Sequence, residues 1–180
     1  RLRKIPPFGR DTIRRIRYNV SELKQLAARD FEDILQCAIP AFEGLFPDSI
    51  DTAVQKLLYV LADWHALAKL RLHTDSTLTN LEVATRILGQ HLRHFADQVA
   101  NTIITRETPR ERAARAKRAA KKATETHADS EASSVLNSAK EKPYTLDRYK
   151  LHALGEYQDQ IRLFGTLDVT STQLVSEAQP

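Results

Sequence analysis

Between residues 50 and 99 the apolar side chains fall into two regular stripes. Ile50, Val54, Leu57, Leu61, Trp64 and Ala68 step by 4, 3, 4, 3 and 4, and Leu78, Leu81, Thr85, Leu88, Leu92, Phe95 and Val99 step by 3, 4, 3, 4, 3 and 4. Alternating steps of three and four hold side chains on one face of an α-helix, so each run predicts a helix with a single apolar face. Asp48, Ser49 and Asp51 offer side-chain oxygens to start the first helix, and a polar link at Thr74-Asp75-Ser76 separates it from the second. Helices joined by so short a link pack antiparallel, and facing stripes would form much of the core. Leu58 and Val60 lie off the first stripe's centre line, which fits a lost packing partner.

The flanks are less regular. Residues 21–39 read as a helix capped by Ser21, with Glu22 in its first turn and Leu23, Leu26, Ala27, Phe31, Ile34, Leu35 and Ala38 at helical spacing. Pro40 is expected to end or kink it, and a short continuation stops at Pro47. Residues 106–122 favour helix by propensity but hold nothing larger than Ala to bury, and residues 123–142 add only Val135 and Leu136. Order is expected to return at Tyr144, with Leu146, Tyr149, Leu151, Leu154, Tyr157, Ile161 and Leu163 on one more helix that stops at Gly165. The pattern therefore predicts an all-α chain: an antiparallel hairpin with flanking helices and a disordered basic and polar linker. Its segments are a basic arm (1–20), a helical core (21–104), the linker (105–142), a C-terminal helix packing on the core (143–165) and an irregular tail (166–180).

Composition narrows the classes. Apolar residues make up 42% of the chain, too many for a wholly disordered one, and five glycines are few for a turn-rich β fold. A single cysteine, Cys37, excludes an intrachain disulfide, so an intracellular chain is expected and Cys37 is read as a buried structural thiol. No apolar run is long enough to cross a bilayer, no signal core follows the N-terminal Arg1-Leu2-Arg3-Lys4, and no membrane partner is expected. Met is absent throughout, so the chain is expected to be a part of a longer reading frame. The net charge of +4 hides a segregation: residues 1–17 and residues 106–122 each carry +6, which leaves an acidic remainder.

The candidate chemistry is sparse. His91 and His94 are spaced to share a metal ion, but no further ligand completes a zinc pattern, so no metal or cofactor is expected. His65 beside Trp64 reads as a packing or hydrogen-bonding residue, and Asp30, Glu32 and Asp33 read as a solvated face. Neither a phosphate-cradling glycine loop nor a GxSxG nucleophile turn occurs, which predicts no enzyme activity. The basic positions are the informative ones. They are Arg10, Arg14, Arg15 and Arg17 in the arm and Arg110, Arg112, Arg115, Lys117, Arg118, Lys121 and Lys122 in the second strip. Their field attracts phosphate backbones or acidic partners, and the second strip has no interleaved aromatics for base stacking. Such runs also act as nuclear-import signals or as solvated linkers.

Several stretches resemble one family. They are Pro7-Phe8-Gly9-Arg10-Asp11-Thr12-Ile13-Arg14-Arg15, Trp64-His65-Ala66-Leu67-Ala68-Lys69-Leu70-Arg71-Leu72-His73-Thr74 and Tyr149-Lys150-Leu151-His152-Ala153-Leu154-Gly155-Glu156-Tyr157, followed by Ile161-Arg162-Leu163-Phe164-Gly165-Thr166-Leu167-Asp168. Together they resemble the C-terminal region of fungal transposase-related proteins of the Plavaka and Kyakuja–Dileera–Zisupton type. Lys150, His152, Tyr157, Gly165, Thr166 and Asp168 carry the most specific part of the likeness. The resemblance implies a cut-and-paste DNA transposase with an RNase H-like catalytic domain, whose acidic residues hold divalent metal, Mg²⁺ in the relatives. Here Ser171-Thr172-Gln173 runs on into Leu174-Val175-Ser176-Glu177-Ala178-Gln179-Pro180, so Glu177 is out of step with the family's Glu-rich, His-containing motif. The upstream catalytic Asp region is also missing. The expectation is a transposase-derived, catalytically incomplete helical domain with residual non-specific DNA binding, partnered by DNA or by the missing catalytic part, in the nucleus or elsewhere inside the cell. The alternative is a helical protein–protein interaction module with no nucleic-acid role.

Overall fold

The computed structural model describes residues 1–9, 12–20, 23, 26–126 and 138–166, with the backbone alone for 122–126. In chain order the helices are α1 (Ala28–Phe42), α2 (Asp48–Ala68), α3 (Asp75–Phe95), α4 (Pro109–Thr126), α5 (Tyr149–His152) and α6 (Tyr157–Phe164). Among the described residues no strand forms, and the extended pairing amounts to two isolated bridges, Phe8–Ile13 and Arg106–Glu141. The all-α expectation holds. The chain divides into two compact units, one built from residues 1–95 and the chain from Leu146 onward, the other from residues 96–145.

The first unit is centred on the α2–α3 hairpin, and the stripes face inward as their spacing requires. Leu81 and Leu88 are fully buried, Leu78, Ala84, Trp64 and Ala68 join them, and Leu57, Leu61 and Leu92 pack against this cluster. Trp64 is the junction. Its indole Nε1 donates to Thr85 Oγ1 at 2.8 Å, and the Thr85 hydroxyl donates in turn to the Leu81 carbonyl at 2.8 Å. A polar N–H can thus be buried without the penalty of an unmade hydrogen bond. Tyr157 of α6 meets the Trp64 ring edge-on, with centroids 5.0 Å apart, and Ile161 completes the cluster. Val60, off the stripe's centre line, packs against the same cluster.

The helix starts show which sequence signals operate. α3 begins with a reciprocal cap in which the Thr74 N–H donates to Thr77 Oγ1 at 2.8 Å and the Thr77 N–H donates to Thr74 Oγ1 at 3.3 Å. α2 has no side-chain cap. Asp51, a candidate for that role, accepts the N–H groups of Gly44, Leu45 and Phe46 at 3.1, 3.0 and 3.3 Å and holds the preceding turn. The Gly44 bond leads in pushing the Asp51 carboxyl below its ordinary range.

α1 differs from the expected 21–39 helix at both ends. It starts at Ala28, where the Asp30 carboxylate turns back to accept the Ala27 N–H at 2.9 Å. Leu23 and Leu26 precede it, and the proposed Ser21 cap lies outside the described residues. Nor does Pro40 stop the helix, which runs on to Phe42. Pro40 lacks the N–H that would reach the Gln36 carbonyl, and the helix ends two residues later. Side chains serve the terminal carbonyls instead: Gln55 Nε2 donates to Ile39 at 3.1 Å, and the Arg1 guanidinium donates to Ala41, Glu43 and Gly44. Cys37 is buried, as expected of a structural thiol, and burial together with Asp33 pushes its pKa up.

At the C-terminal end the single expected helix is two helices, α5 and α6, joined by the 3₁₀ turn Ala153–Glu156. Gly165 stops α6 as expected, at φ +88° and with its N–H donating to Ile161 at 2.9 Å. Only Leu154, Tyr157 and Ile161 reach the core, whereas Tyr149, Leu163 and Phe164 are exposed. Within the 105–142 stretch, expected as a linker with helical propensity over 106–122, Pro109–Thr126 is helical. The remainder of that expectation, residues 127–137, lies outside the described residues.

This core assigns different costs to equivalent truncations. Leu81→Ala should lower the unfolding free energy by about 3 kcal/mol in a urea titration, the usual cost of a buried Leu deletion. Leu163→Ala, at a side chain 72% exposed, should change it by less than about 0.5 kcal/mol. Similar losses in both variants would contradict this placement of the core.

Candidate nucleic-acid interface

The second unit explains how a helix without large apolar residues holds a fixed position. Pro109 occupies the first position of α4, where its missing N–H costs nothing. Thr108 and Glu111 cap the start reciprocally: the Glu111 N–H donates to Thr108 Oγ1 at 3.3 Å, and the Thr108 N–H donates to Glu111 Oε2 at 3.0 Å. A strap formed by residues 138–142 then docks on the helix through charge. Arg115 grips Glu107 with Nε at 3.0 and 3.1 Å and Nη2 at 2.9 Å, and its Nη2 also donates to the Ser138 carbonyl at 2.8 Å. Lys142 Nζ pairs with Glu111. The Glu107 N–H donates to the Lys140 carbonyl and the Lys142 N–H to the Thr105 carbonyl, both at 2.9 Å. Ion pairs and two backbone bonds thus replace the missing apolar face.

This arrangement sorts the basic candidates of α4. Arg115 is half-buried and bound to Glu107, so it is a structural cation and not the free phosphate ligand its sequence position suggested. Arg110, Arg112, Lys117, Arg118 and Lys121 are exposed, and the Lys122 side chain is not described. At 3.6 residues per turn, Arg110, Lys117 and Lys121 fall within about 40° of one another, with Arg118 beside them, while Arg112 and Arg115 lie on the far side. The outer stripe is therefore a row of cations.

The N-terminal arm is sorted differently. Phe8 and Ile13 exchange both backbone hydrogen bonds at 3.1 Å around a turn that needs Gly9, whose φ is +63° and where a Cβ would lie 2.8 Å from Thr12 Oγ1. Arg14 follows this turn and binds α1, with Nε 2.7 Å from Asp33 and Nη2 2.7 Å from Asp30. Both residues were expected to do something else: Arg14 to contact nucleic acid, and the α1 carboxylates to form a solvated face. Asp33 is in fact buried, and a buried carboxylate requires such a partner. Arg15 and Arg17 are exposed, and Arg10 lies outside the described residues.

The remaining candidates are placed as follows. Glu32 pairs with Lys69 at 2.6 Å beside a cleft of about 490 Å³ that His65 also lines. Burial, which the Glu32 charge opposes, lowers the His65 pKa. His91 and His94 line a second groove, and among the described residues no group of three or more His, Cys, Asp or Glu could hold a metal ion. Of the family-motif positions, Tyr157 packs on Trp64 and Gly165 ends α6. Lys150 and His152 are exposed on α5, Thr166 follows Gly165, and Asp168 lies outside the described residues. Reading the sequence for free cations missed the holding carboxylates Glu107 and Glu111. The Thr108-Pro109-Arg110-Glu111 capping signature was the available clue.

The strap carries a pH dependence. Hydrogen bonding to Lys142, with Thr108 contributing, lowers the Glu111 pKa from 4.5 to about 2, and Arg115 leads in lowering that of Glu107. A carboxylate depressed in the folded state stabilises it above its unfolded pKa and stops doing so as pH falls through the folded value. The Lys140 and Lys142 amide signals should therefore hold their positions from pH 7 to about 5 and shift progressively between about 4.5 and 2. Strap signals unchanged at pH 2, or already shifted at pH 6, would contradict the assignment.

Among the described residues no helix is long and apolar enough to cross a membrane. No protein-family model matches the chain, and no curated protein sequence or solved structure shows significant similarity to it.

Proposed function

We propose that the chain binds nucleic acid through the phosphate backbone, using the outer cation stripe of α4, and performs no bond-breaking step of its own. The carrying observation is the disposal of the acids. Glu107 and Glu111 are paired with Arg115 and Lys142 inside the second unit, while Lys117 and Arg118 of the same helix are exposed. A cation row without intervening aromatics favours backbone contact over base stacking or readout of sequence. The resemblance to transposase-related proteins supports the same reading, with DNA as the nucleic acid and a transposase catalytic part as the second partner.

The test is a fluorescence-anisotropy titration of mixed-sequence duplex DNA over a range of salt. Four phosphate contacts release counterions with a log–log slope of about −3 to −4. Lys117→Glu combined with Arg118→Glu should weaken binding by about tenfold or more and flatten the slope by about 2, whereas exchanging the pair as Lys117→Arg and Arg118→Lys should preserve both. No binding at low salt, or binding indifferent to salt and to the charge reversal, would overturn the proposal in favour of a protein-interaction module.

A further inference from the structure

At the open end of the α2–α3 hairpin, away from the Thr74 turn, lies a groove of about 340 Å³. Ser49, Thr52, Ala53 and Lys56 of α2 and Gln90, His91 and His94 of α3 line it. Apart from Ala53, every one of these side chains can donate a hydrogen bond, one is a cation, and none is a carboxylate. That bias runs against the local composition, because α2 and α3 together carry five carboxylates against three Lys and Arg side chains. Asp51, in the first turn of α2, is turned to the N–H groups of Gly44, Leu45 and Phe46. The start of α2 also lacks a side-chain cap for its first-turn amides, while Asp48 in that turn offsets part of the helix dipole.

We propose that this groove binds a phosphate group carried by a small organic molecule, a phosphomonoester. Three observations converge on this class. A lining of donors without an acid repels cations and suits a tetrahedral oxyanion, which accepts several hydrogen bonds at once. The two histidines have no third His, Cys, Asp or Glu beside them among the described residues, so their pairing does not amount to a metal site. The volume lies in the range of small-molecule pockets and exceeds what a bare phosphate fills. Binding is by ion pairing and hydrogen bonding alone, with no covalent step. The groove belongs to the first unit, so the proposal does not depend on nucleic-acid binding by α4.

The experiment follows the His91 and His94 ring signals of the full chain by NMR during titration with inorganic phosphate, a nucleoside 5′-monophosphate and, at matched ionic strength, sodium chloride. Both phosphates should give saturable shifts, with a dissociation constant on the order of 1 mM for inorganic phosphate and a lower one for the monophosphate. Exposed Lys56→Gln should weaken binding by about tenfold, the size of one charge-assisted hydrogen bond, and His94→Gln should weaken it independently. The Lys117→Glu, Arg118→Glu chain should bind phosphate unchanged, which separates this site from α4. Equal binding of the two phosphates would support the site with the free anion as its ligand. Chloride-like, unsaturable shifts, an unaltered Lys56→Gln, or one-to-one Zn²⁺ binding at the histidines without phosphate binding would each overturn it.

Discussion

The first unit depends on the environment of one side chain. Trp64 is the largest residue in the core cluster, and it touches two helices besides its own: α3 through the hydrogen bond to Thr85 and α6 through the edge-on contact with Tyr157. An indole buried to 4% exposure is stabilising only if its N–H is satisfied, and Thr85 does that from a position the apolar stripe would otherwise assign to Leu or Ala. Thr85 sacrifices some apolar contact there, and in return it fixes the register of α3 against α2. The C-terminal segment joins the core because the same ring leaves an edge for Tyr157 and space for Ile161.

Charge organises what apolar burial does not. The basic N-terminal arm meets the acidic α1, where Arg14 neutralises Asp30 and Asp33 and Arg1 serves the carbonyls at the end of the helix. In the second unit Arg115 and Lys142 hold Glu107 and Glu111. Cations that close such pairs are structural, whereas those on the outer stripe of α4 face solvent. Two segments of equal charge in the sequence therefore have different physical roles. Most of the arm's ordered contact is internal, and the helix presents its charge outward.

The hairpin is legible in the sequence because its signals are local and redundant: two stripes of period 3.6 and a short polar link. Gly165 was legible for the same reason, since only glycine readily adopts a φ of +88°. The rest depended on contacts distant in sequence. Pro40 reads as an end or a kink, yet the helix runs past it, and Gln55 and Arg1 satisfy the Ile39 and Ala41 carbonyls on either side from 16 and 40 residues away. The α1 carboxylates read as solvated because Arg14, 19 residues from Asp33, is visible only after the Phe8–Ile13 turn has formed. Propensity favours helix over residues 106–122, but with nothing to bury the stretch is assigned to the linker, whereas the helix is anchored by ion pairs. The groove at the open end of the hairpin escaped notice because its α2 half, Ser49, Thr52 and Lys56, is an unremarkable polar face until α3 brings its histidines alongside.

The central claim is that structural and ligand-facing cations are different residues, and lysine-acetylation mapping by mass spectrometry tests it most directly. The full chain would be labelled briefly with and without saturating duplex DNA. The account predicts that Lys117 reacts readily in the free chain and becomes protected by DNA. Lys69 and Lys142, already paired with Glu32 and Glu111, should react slowly in both states. Protection of Lys69 or Lys142 by DNA, with Lys117 left reactive, would contradict it.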